Sequence, residues 1–594
     1  MVSLESQKKI YPCLENWINL NANYVYFMLH KNASPDRIEE LFTGTAQIHY
    51  ADVEQTYSFE IQPLTKISPG RNLGNWISSP PVAKEEPFLF SCIALIILLV
   101  ACFNYMNLSL AKALSRAKEV GIRKVIGASR FKLFTQFIGE AVTYSLIALA
   151  VSYIFLLFIV PEFSHQLRER FDLGNYNLIL VCASILFAFF AGILGGFVPA
   201  LYISRFNPIA VLKDITKIRV FSKLTFRRAL VVFQFFVSFI FIITTIVIYK
   251  QIQFEKNYDL GFHPQNILMV ELQGVDYSIF KQEIVNHPSI SSVAGTGFVP
   301  STGTRWIDRA KLSDTADFFE IDILPMDENY TENIGLEVLA GRNFAEHSRT
   351  DDEKFILINE TAVRELGLGS PDRALGKMLI FKEDISLEII GVVKDFVSSS
   401  ISDQVRPLAL RVMPDEIQYA SIRINDQNTE STLLFIEEKW KKLQPFRPIG
   451  SMFFEDYIKE IRAFIEETLR AIGLIAFLTI LIAFFGLLGM VIYDTEARIK
   501  EIGIRKVMGA SVWDLVREVS KGFVFLLSMA VVLATPLAWF LNDLVLQNIA
   551  NHVPLGIGIF AQGTFFMFIV GILIIFSQTL RAAYGNPVDA LRYE

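Results

Sequence analysis

Seven runs of almost unbroken apolar residues punctuate the chain, near Phe88 to Leu110, Leu133 to Val160, Leu178 to Ile203, Ala229 to Tyr249, Phe464 to Ile492, Gly522 to Leu546 and Ile557 to Gln578. Each has the roughly 20 residues that cross a bilayer at a rise of about 1.5 Å per residue, so each predicts a spanning helix. Two long stretches, Met1 to Pro87 and Gln251 to Arg462, are polar enough to fold in water. In the first, Tyr24 to Leu29 reads as a strand, followed by Asn/Ser/Pro turn chemistry and a short helix over Arg37 to Phe42. The same order recurs in the second, with a strand over Tyr419 to Ile424 and a helix through Phe435 to Trp440. Strands over Phe355 to Ile358 and Leu387 to Val393, with a helix over Glu360 to Leu366, make the longer stretch mixed α/β.

One charged phrase occurs twice: EVGIRKVIGAS from Glu119 to Ser129 and EIGIRKVMGAS from Glu501 to Ser511, with Gly121 and Gly503 at an offset of 382. Ile122, Val125 and Ile126 fall at i, i+3 and i+4 and form one apolar face, while Glu119 and Arg123 are spaced to pair on the polar face. Ile504, Val507 and Met508, with Glu501 and Arg505, repeat both features. Gly127 and Gly509 then predict left-handed C-terminal caps, and Ser129 and Ser511 are placed to cap the following helix. The result is a short amphipathic helix held at an angle to the next span, a rigid lever. Glycine inside a helix costs about 1 kcal/mol relative to alanine. Gly121 and Gly503 therefore point to close approach of a partner backbone. A basic juxtamembrane helix that merely lies on anionic lipid is the competing reading.

Composition agrees with a membrane protein: 52% of the 594 residues are hydrophobic, with 51 Phe, and the mean hydropathy is +0.39. That excludes an ordinary soluble enzyme. Short loops rich in Lys and Arg stay cytoplasmic. The loops after the first and third spans carry clusters of them, whereas Gln547 to Gly556 has none. Both phrases and the C-terminus are therefore expected inside, and both long polar stretches outside. Each phrase lies within a triplet of spans, and an Asn-Pro follows each triplet, Asn207-Pro208 and Asn586-Pro587. The second triplet is preceded by a linking span and a full outer domain. Completing the first half in the same way calls for about 150 further residues ahead of Met1, opening with a span of roughly 20 apolar ones, so the chain reads as N-terminally truncated.

The two phrases, the spans around them, INETAVRELG (Ile358 to Gly367), GVVKDF (Gly391 to Phe396) and IQPLTKI (Ile61 to Ile67) resemble FtsX-like ABC transporter permeases with a MacB-like periplasmic core domain. The long, internally duplicated permeases of Bacteroidota are the nearest type. The fold expected is an α-helical polytopic membrane protein of about seven spans, two related triplets plus a linking span, with extracytoplasmic mixed α/β domains. Its parts are 1–87 as the remnant of a first periplasmic core domain, 88–213 as a first FtsX-like three-span domain, and 214–250 as a linker with the linking helix. A second MacB-like periplasmic core domain follows at 251–462, and a second FtsX-like three-span domain at 463–594. The resemblance implies a multi-pass bacterial inner-membrane permease, with no cofactor of its own, that relays the motion of a separate cytoplasmic ABC ATPase, the chain that binds ATP. Coupling would fall to Glu119, Gly121, Arg123, Lys124 and Gly127 and to Glu501, Gly503, Arg505, Lys506 and Gly509. A periplasmic adaptor and an outer-membrane channel are further partners it implies, with macrolides, antimicrobial peptides or lipoproteins as cargo.

Catalytic chemistry is not written in these residues. A phosphate-cradling loop needs G-x-x-x-x-G-K-[ST], and Leu375-Gly376-Lys377-Met378 lacks its first glycine and its hydroxyl. The seven His show no zinc-type spacing, no nucleophile elbow stands out, and nothing suggests nucleic acid. The alternative is an FtsX-like mechanotransmitter that activates an envelope hydrolase or acts in signalling. Of the cysteines, Cys13 alone lies outside the spans, and Cys92, Cys102 and Cys182 read as small apolar packing residues. Asn104, Asn107 and Glu140 read as interhelical hydrogen-bonding or headgroup-level groups, and Pro199 and Pro536 as helix kinks or ends. The Lys/Arg asymmetry makes a topology prediction: a reporter fused after Glu594 reads cytoplasmic and one inserted near Asp351 reads external. The opposite pattern at both sites overturns this arrangement.

Overall fold

In the computed structural model, residues 28–30, 34–49, 59, 61–67, 85–112, 117–162, 178–204, 224–313, 315–345, 354–381, 385–425, 429–497, 499–547 and 549–584 are described. Residues 24–27 of the expected first strand, Cys13 and both Asn-Pro pairs lie outside the described residues. Thirteen helices carry the argument: α1 (Pro35–His49), α2 (Glu85–Lys112), α3 (Ala117–Val125), α4 (Arg130–Ile159), α5 (Leu178–Ser204), α6 (Leu224–Lys256), α7 (Tyr277–Ile284), α8 (Glu360–Glu365), α9 (Thr429–Leu443), α10 (Phe454–Ala497), α11 (Ile499–Val507), α12 (Val512–Leu546) and α13 (Ile557–Tyr584). Seven of them, α2, α4, α5, α6, α10, α12 and α13, contain stretches long and apolar enough to cross a membrane. The chain divides into two units, Met1–Cys102 with Arg170–Leu173, and the remainder. In the first, α1 includes the expected Arg37 to Phe42 helix; its Glu39 Oε1 accepts from the backbone N–H of Ile61 at 2.8 Å, and Phe42 meets the Phe59 ring at 5.9 Å.

Small residues decide how the helices of the larger unit pack, since lipid gives apolar side chains no reason to prefer each other and close backbone approach must supply the attraction. In α5, a Cβ at Gly192 would stand 2.7 Å from Val142 Cα and one at Gly196 would stand 2.5 Å from Ala141 Cβ, so α4 and α5 touch nearly backbone to backbone. Ser145 Oγ donates to the Ala188 carbonyl at 2.7 Å, and the Tyr153 and Ser184 hydroxyls pair at 2.7 Å. Helix α6 sits among α10, α12 and α13. Its Phe235, Phe239 and Ile243 are buried against Ala483, Leu487 and the Ala530, Ala534, Ala538 stripe of α12. Phe235 meets Phe484 edge-on at 5.7 Å.

Three sequence expectations are narrowed here. Asn107 is 1% exposed, yet neither its Oδ1 nor its Nδ2 is hydrogen-bonded. The last turns of α2 are held by shape instead, with Leu108 filling the space a side chain at Gly489 would need. Cys102 is buried and Cys92 half-buried, but Cys182 is exposed on α5, because its helix presents that side outward. Neither Pro199 nor Pro536 ends its helix; each lies inside a continuous one.

Among its described residues, the outer domain between α6 and α10 contains eleven strands: β1 (Ile267–Glu271), β2 (Ile290–Thr296), β3 (Trp306–Lys311), β4 (Phe319–Met326), β5 (Val338–Gly341), β6 (Phe355–Asn359), β7 (Met378–Phe381), β8 (Ser386–Val393), β9 (Leu408–Val412), β10 (Tyr419–Ile424) and β11 (Gly450–Phe453). Strands β4, β3, β7, β8, β6 and β9 are neighbours in that order, and β9 returns to pair with β4 in parallel, closing a six-stranded barrel. Ile321, Ile323, Ile356, Ile358, Leu387 and Ile389 fill its apolar core. A second, antiparallel sheet runs β11-β1-β10-β2. Helices α7 and α9 cover one face of it through Phe280, Ile284, Ile436 and Trp440, with the Phe280 and Trp440 rings edge-to-face at 5.8 Å. Barrel and sheet meet at one register pair, Thr296 with Met326.

The outer domain joins the bundle through three elements. Helix α6 leads into it. Helix α10 begins inside its core, where Phe454 is fully buried and stacks on Phe262 at 5.2 Å. The α12–α13 loop clasps it from the side: Asn551 Nδ2 donates to the Ile401 carbonyl at 2.9 Å, and the Ala550 N–H donates to the Ser402 carbonyl at 2.8 Å. Gln251 of α6 locks that loop, donating to the Asn551 carbonyl at 2.9 Å and accepting from the Val553 N–H at 2.9 Å.

Gly341 ends β5 with φ +81°, and a Cβ there would collide with the Ile390 carbonyl of β8. Gly341→Ala is expected to cost roughly 2–4 kcal/mol, combining left-handed strain and overpacking. Gly303→Ala, at φ +85° with open space around it, carries only the strain of about 1–2 kcal/mol. Thermal unfolding of the chain, followed by near-ultraviolet circular dichroism, ranks the two; equal losses would refute the assigned collision.

Candidate functional site

Helices α3 and α11 carry every residue singled out for coupling apart from the two glycines that close them, and the two copies are built alike. In α3 the last turn closes through the Gly127 N–H on the Lys124 carbonyl at 3.1 Å and the Ala128 N–H on the Arg123 carbonyl at 2.9 Å. In α11 the Gly509 N–H meets the Lys506 carbonyl at 3.1 Å and the Ala510 N–H meets the Arg505 carbonyl at 2.9 Å. This bond pattern needs a left-handed residue at the cap, and Gly127 and Gly509 supply it with φ +101° and +95°. Ser129 then caps α4, accepting from the Lys132 N–H at 3.2 Å. Ser511 caps α12 in a reciprocal box with Asp514. Each lever is thus rigidly spliced to its following span.

The polar faces also match. Arg123 Nη2 pairs with Glu119 Oε1 at 2.6 Å, and Arg505 Nη2 pairs with Glu501 Oε1 at 2.7 Å. Arg123 additionally donates to Gln136 Oε1 at 2.9 Å. These pairs are about half exposed on both sides, so each contributes only about 0.3–0.5 kcal/mol. The apolar faces are turned outward: Ile122 and Ile504 are 51% and 50% exposed, Val125 and Val507 are both 65%, and Ile126 and Met508 are 80% and 82%. Phe131 and Trp513, which correspond at the same offset, extend the two patches and are 75% and 68% exposed. Spacing in the sequence identifies this stripe, although the charged residues beside it attracted the site assignment.

The opposite side of α3 faces its own chain. Val120 packs with Leu133 of α4 and Ile203 of α5, and Gly121 is buried there. The helical glycine at 121 is therefore not part of the exposed face. The surroundings of Gly503 lie outside the described residues. Lys124 is likewise turned inward: its Nζ donates to the Ser204 carbonyl, the last residue of α5, at 2.7 Å. A cation suits the carbonyl-rich end of a helix, and desolvation, helped by Arg130, lowers the Lys124 pKa below the ordinary lysine value. Lys506 is half-buried. Besides Gly503 and the half-buried Lys506, the assigned residues divide into an outward set, Glu119, Arg123, Gly127, Glu501, Arg505 and Gly509, and an inward pair, Gly121 and Lys124.

Residues 91–208 and 473–587 match the FtsX-like permease C-terminal family, and residues 235–439 match the MacB-like periplasmic core domain. Among curated proteins, the macrolide export ATP-binding/permease protein MacB of Burkholderia thailandensis is 33% identical over 127 residues, 21% of this chain and 19% of that protein. The MacB protein of Campylobacter jejuni is 34% identical over 131 residues, 22% of this chain and 20% of that protein. The chain thus spans about a fifth of the length of the curated relatives it matches. Among solved structures, the periplasmic region of MacB from Actinobacillus actinomycetemcomitans aligns with a TM-score of 0.27 at 16% identity, covering 34% of this chain and 94% of that one.

Removing the inward tie tests the lever's mounting. Lys124→Met is expected to speed amide exchange across residues 117–126 by five- to thirtyfold, the equivalent of about 1–2 kcal/mol for a charge-assisted hydrogen bond. Exchange in the outer domain should be unaltered. Unchanged protection of α3 would show that the Lys124 contact does not hold it.

Proposed function

The chain belongs to the FtsX-like permeases that carry a MacB-like periplasmic core domain, and on that premise we propose that it is the transmembrane subunit of an ABC-type transporter. A separate cytoplasmic ATPase docks on α3 and α11 and hydrolyses the nucleotide. Its closure displaces the two levers, and the displacement reaches the periplasmic domain as mechanical work for export or extraction of envelope cargo, a drug or an antimicrobial peptide. The two levers and the C-terminus face the cytoplasm in this reading, as the Lys/Arg-rich loops favour.

The observation that carries the reading is the doubled outward stripe. Ile122, Val125 and Ile126 recur as Ile504, Val507 and Met508 at nearly equal exposure, each beside an intrahelical ion pair. Apolar anchors at i, i+3 and i+4 are what a grooved protein partner reads on a helix. The connection to the outer domain supports it too: α11 follows α10 after a single residue, and α10 reaches Phe454 in the outer core without interruption.

Met508→Asp and Ile126→Asp change only the exposed ends of the stripe, so the chain should still insert and fold. Each is expected to lower co-purification of the cognate ATPase by more than about tenfold, the loss typical of removing an interface anchor. Arg505→Glu, which sets two carboxylates at i, i+4, should also weaken association. Undiminished recovery with both aspartate variants would reject docking through this face and leave attraction to anionic lipid as the account of the stripe.

A further inference from the structure

Helices α6 and α10 run antiparallel and touch at two levels. Ser238 Oγ of α6 donates to the Thr479 carbonyl at 3.5 Å, with both residues buried. Nearer the outer domain, Lys256 Nζ of α6 pairs with Glu466 Oε1 of α10 at 2.6 Å. Between these two closures lies a cleft of about 270 Å³. Its walls are apolar below, with Ile248 and Ile252 on α6 and Ile472 on α10, and Gly473 supplies no side chain to fill it. A Cβ at Gly473 would meet nothing within 4 Å.

The cleft lies where the spans end. The apolar stretch of α10 begins at Arg470 and that of α6 ends at Lys256, and Tyr249, an aromatic of the kind enriched at the membrane interface, lines it. Its lower part is thus at acyl-chain depth and its rim at headgroup depth. Lys256 is neutralised by Glu466. Arg470, on the same rim, is exposed and has no ion pair among the described residues. A cleft with apolar walls open to lipid draws in hydrocarbon, and a guanidinium at its mouth binds phosphate oxygens.

We propose that this cleft is a binding site for one anionic glycerophospholipid of the outer leaflet, its acyl chain between α6 and α10 and its phosphate on Arg470. The occupant fills the space between the two helices below the Lys256–Glu466 pair, so their closer approach there requires its expulsion. The site is independent of what drives the permease, and its test involves no ATPase.

The full chain, purified in detergent, is titrated with phosphatidylglycerol or phosphatidylcholine and analysed by native mass spectrometry. One phosphatidylglycerol should be retained about fivefold more tightly than phosphatidylcholine, the effect expected of one basic group at the surface. Arg470→Ala should remove the preference without unfolding the chain. Gly473→Leu should displace both lipids by filling the cleft, and Ile252→Trp provides the same block from the other wall should the leucine variant fail to fold. Equal retention of the two lipids by the unmodified chain would overturn the proposal. So would a phosphatidylglycerol adduct that survives whichever cleft-filling variant folds, or one displaced by excess inorganic phosphate, which would mark a headgroup contact without an acyl site.

Discussion

A single hydrogen-bonded ladder constrains the larger unit: the 44 residues of α10 extend about 66 Å at 1.5 Å per residue, twice the roughly 30 Å of a bilayer's hydrocarbon core. Its backbone groups are satisfied within the helix, which is what lets it cross lipid. Phe454 and Ile458 anchor one end in the outer domain's core. The other end stops one residue before α11. A helix is stiff along its axis, so under the proposed function a displacement at α11 would reach Phe454 as translation or rotation of α10. The loop clasp through Gln251 and Asn551 gives the outer domain a second attachment to the bundle. Motion of α10 relative to the α12–α13 hairpin therefore loads the domain at two points.

Magnitudes show which contacts aim the levers. The exposed Glu119–Arg123 and Glu501–Arg505 pairs contribute a few tenths of a kcal/mol each. Burial of Val120 between α4 and α5, at about 25 cal/mol per Å² of apolar area, and the charge-assisted bond from Lys124 to the end of α5 outweigh the first of them. The glycine caps fix the direction of the chain at almost no strain, because glycine alone enters the left-handed region freely. The lever is thus set by its inward side and its cap, which leaves the outward stripe of Ile122, Val125 and Ile126 uncovered by the described residues.

The spans were legible because a bilayer imposes a length, and a run such as Leu178 to Ile203 satisfies it without reference to any other residue. The levers were legible for a related reason: the spacing of Ile504, Val507 and Met508 and the glycine after them are local facts. Pairing is not local. That β9 returns to β4 and closes a barrel follows from contacts such as Ile323 with Ala409, far apart in sequence, and alternating hydrophobicity is the same whichever partner a strand takes. The inward turn of Gly121 and Lys124 was hidden likewise, because helical spacing gives the angle between residues but not which neighbour each angle meets. The contact of α2 with Gly489 through Leu108 was hidden for the same reason, since no local pattern names the helix that a buried turn meets.

The duplication adds an argument that neither half supplies alone. Across the offset of 382, the eleven-residue phrase differs only at Val120/Ile502 and Ile126/Met508, both exchanges of similar bulk. The helices that follow have drifted much further. The buried stripe Ala530, Ala534, Ala538, against which α6 packs, corresponds to Ala148, Ser152 and Leu156. Packing within the membrane has thus been solved twice in different ways, as expected where each span answers only to its own neighbours. The phrase has been kept, and the side of it turned away from the chain is alike in exposure as well as in residue type. The proposed docking requires one external chemistry met twice, which accounts for two surfaces that stay alike while their supports diverge. A pair of like sites on a two-fold partner fits that requirement, since a symmetric partner offers the same groove to each lever.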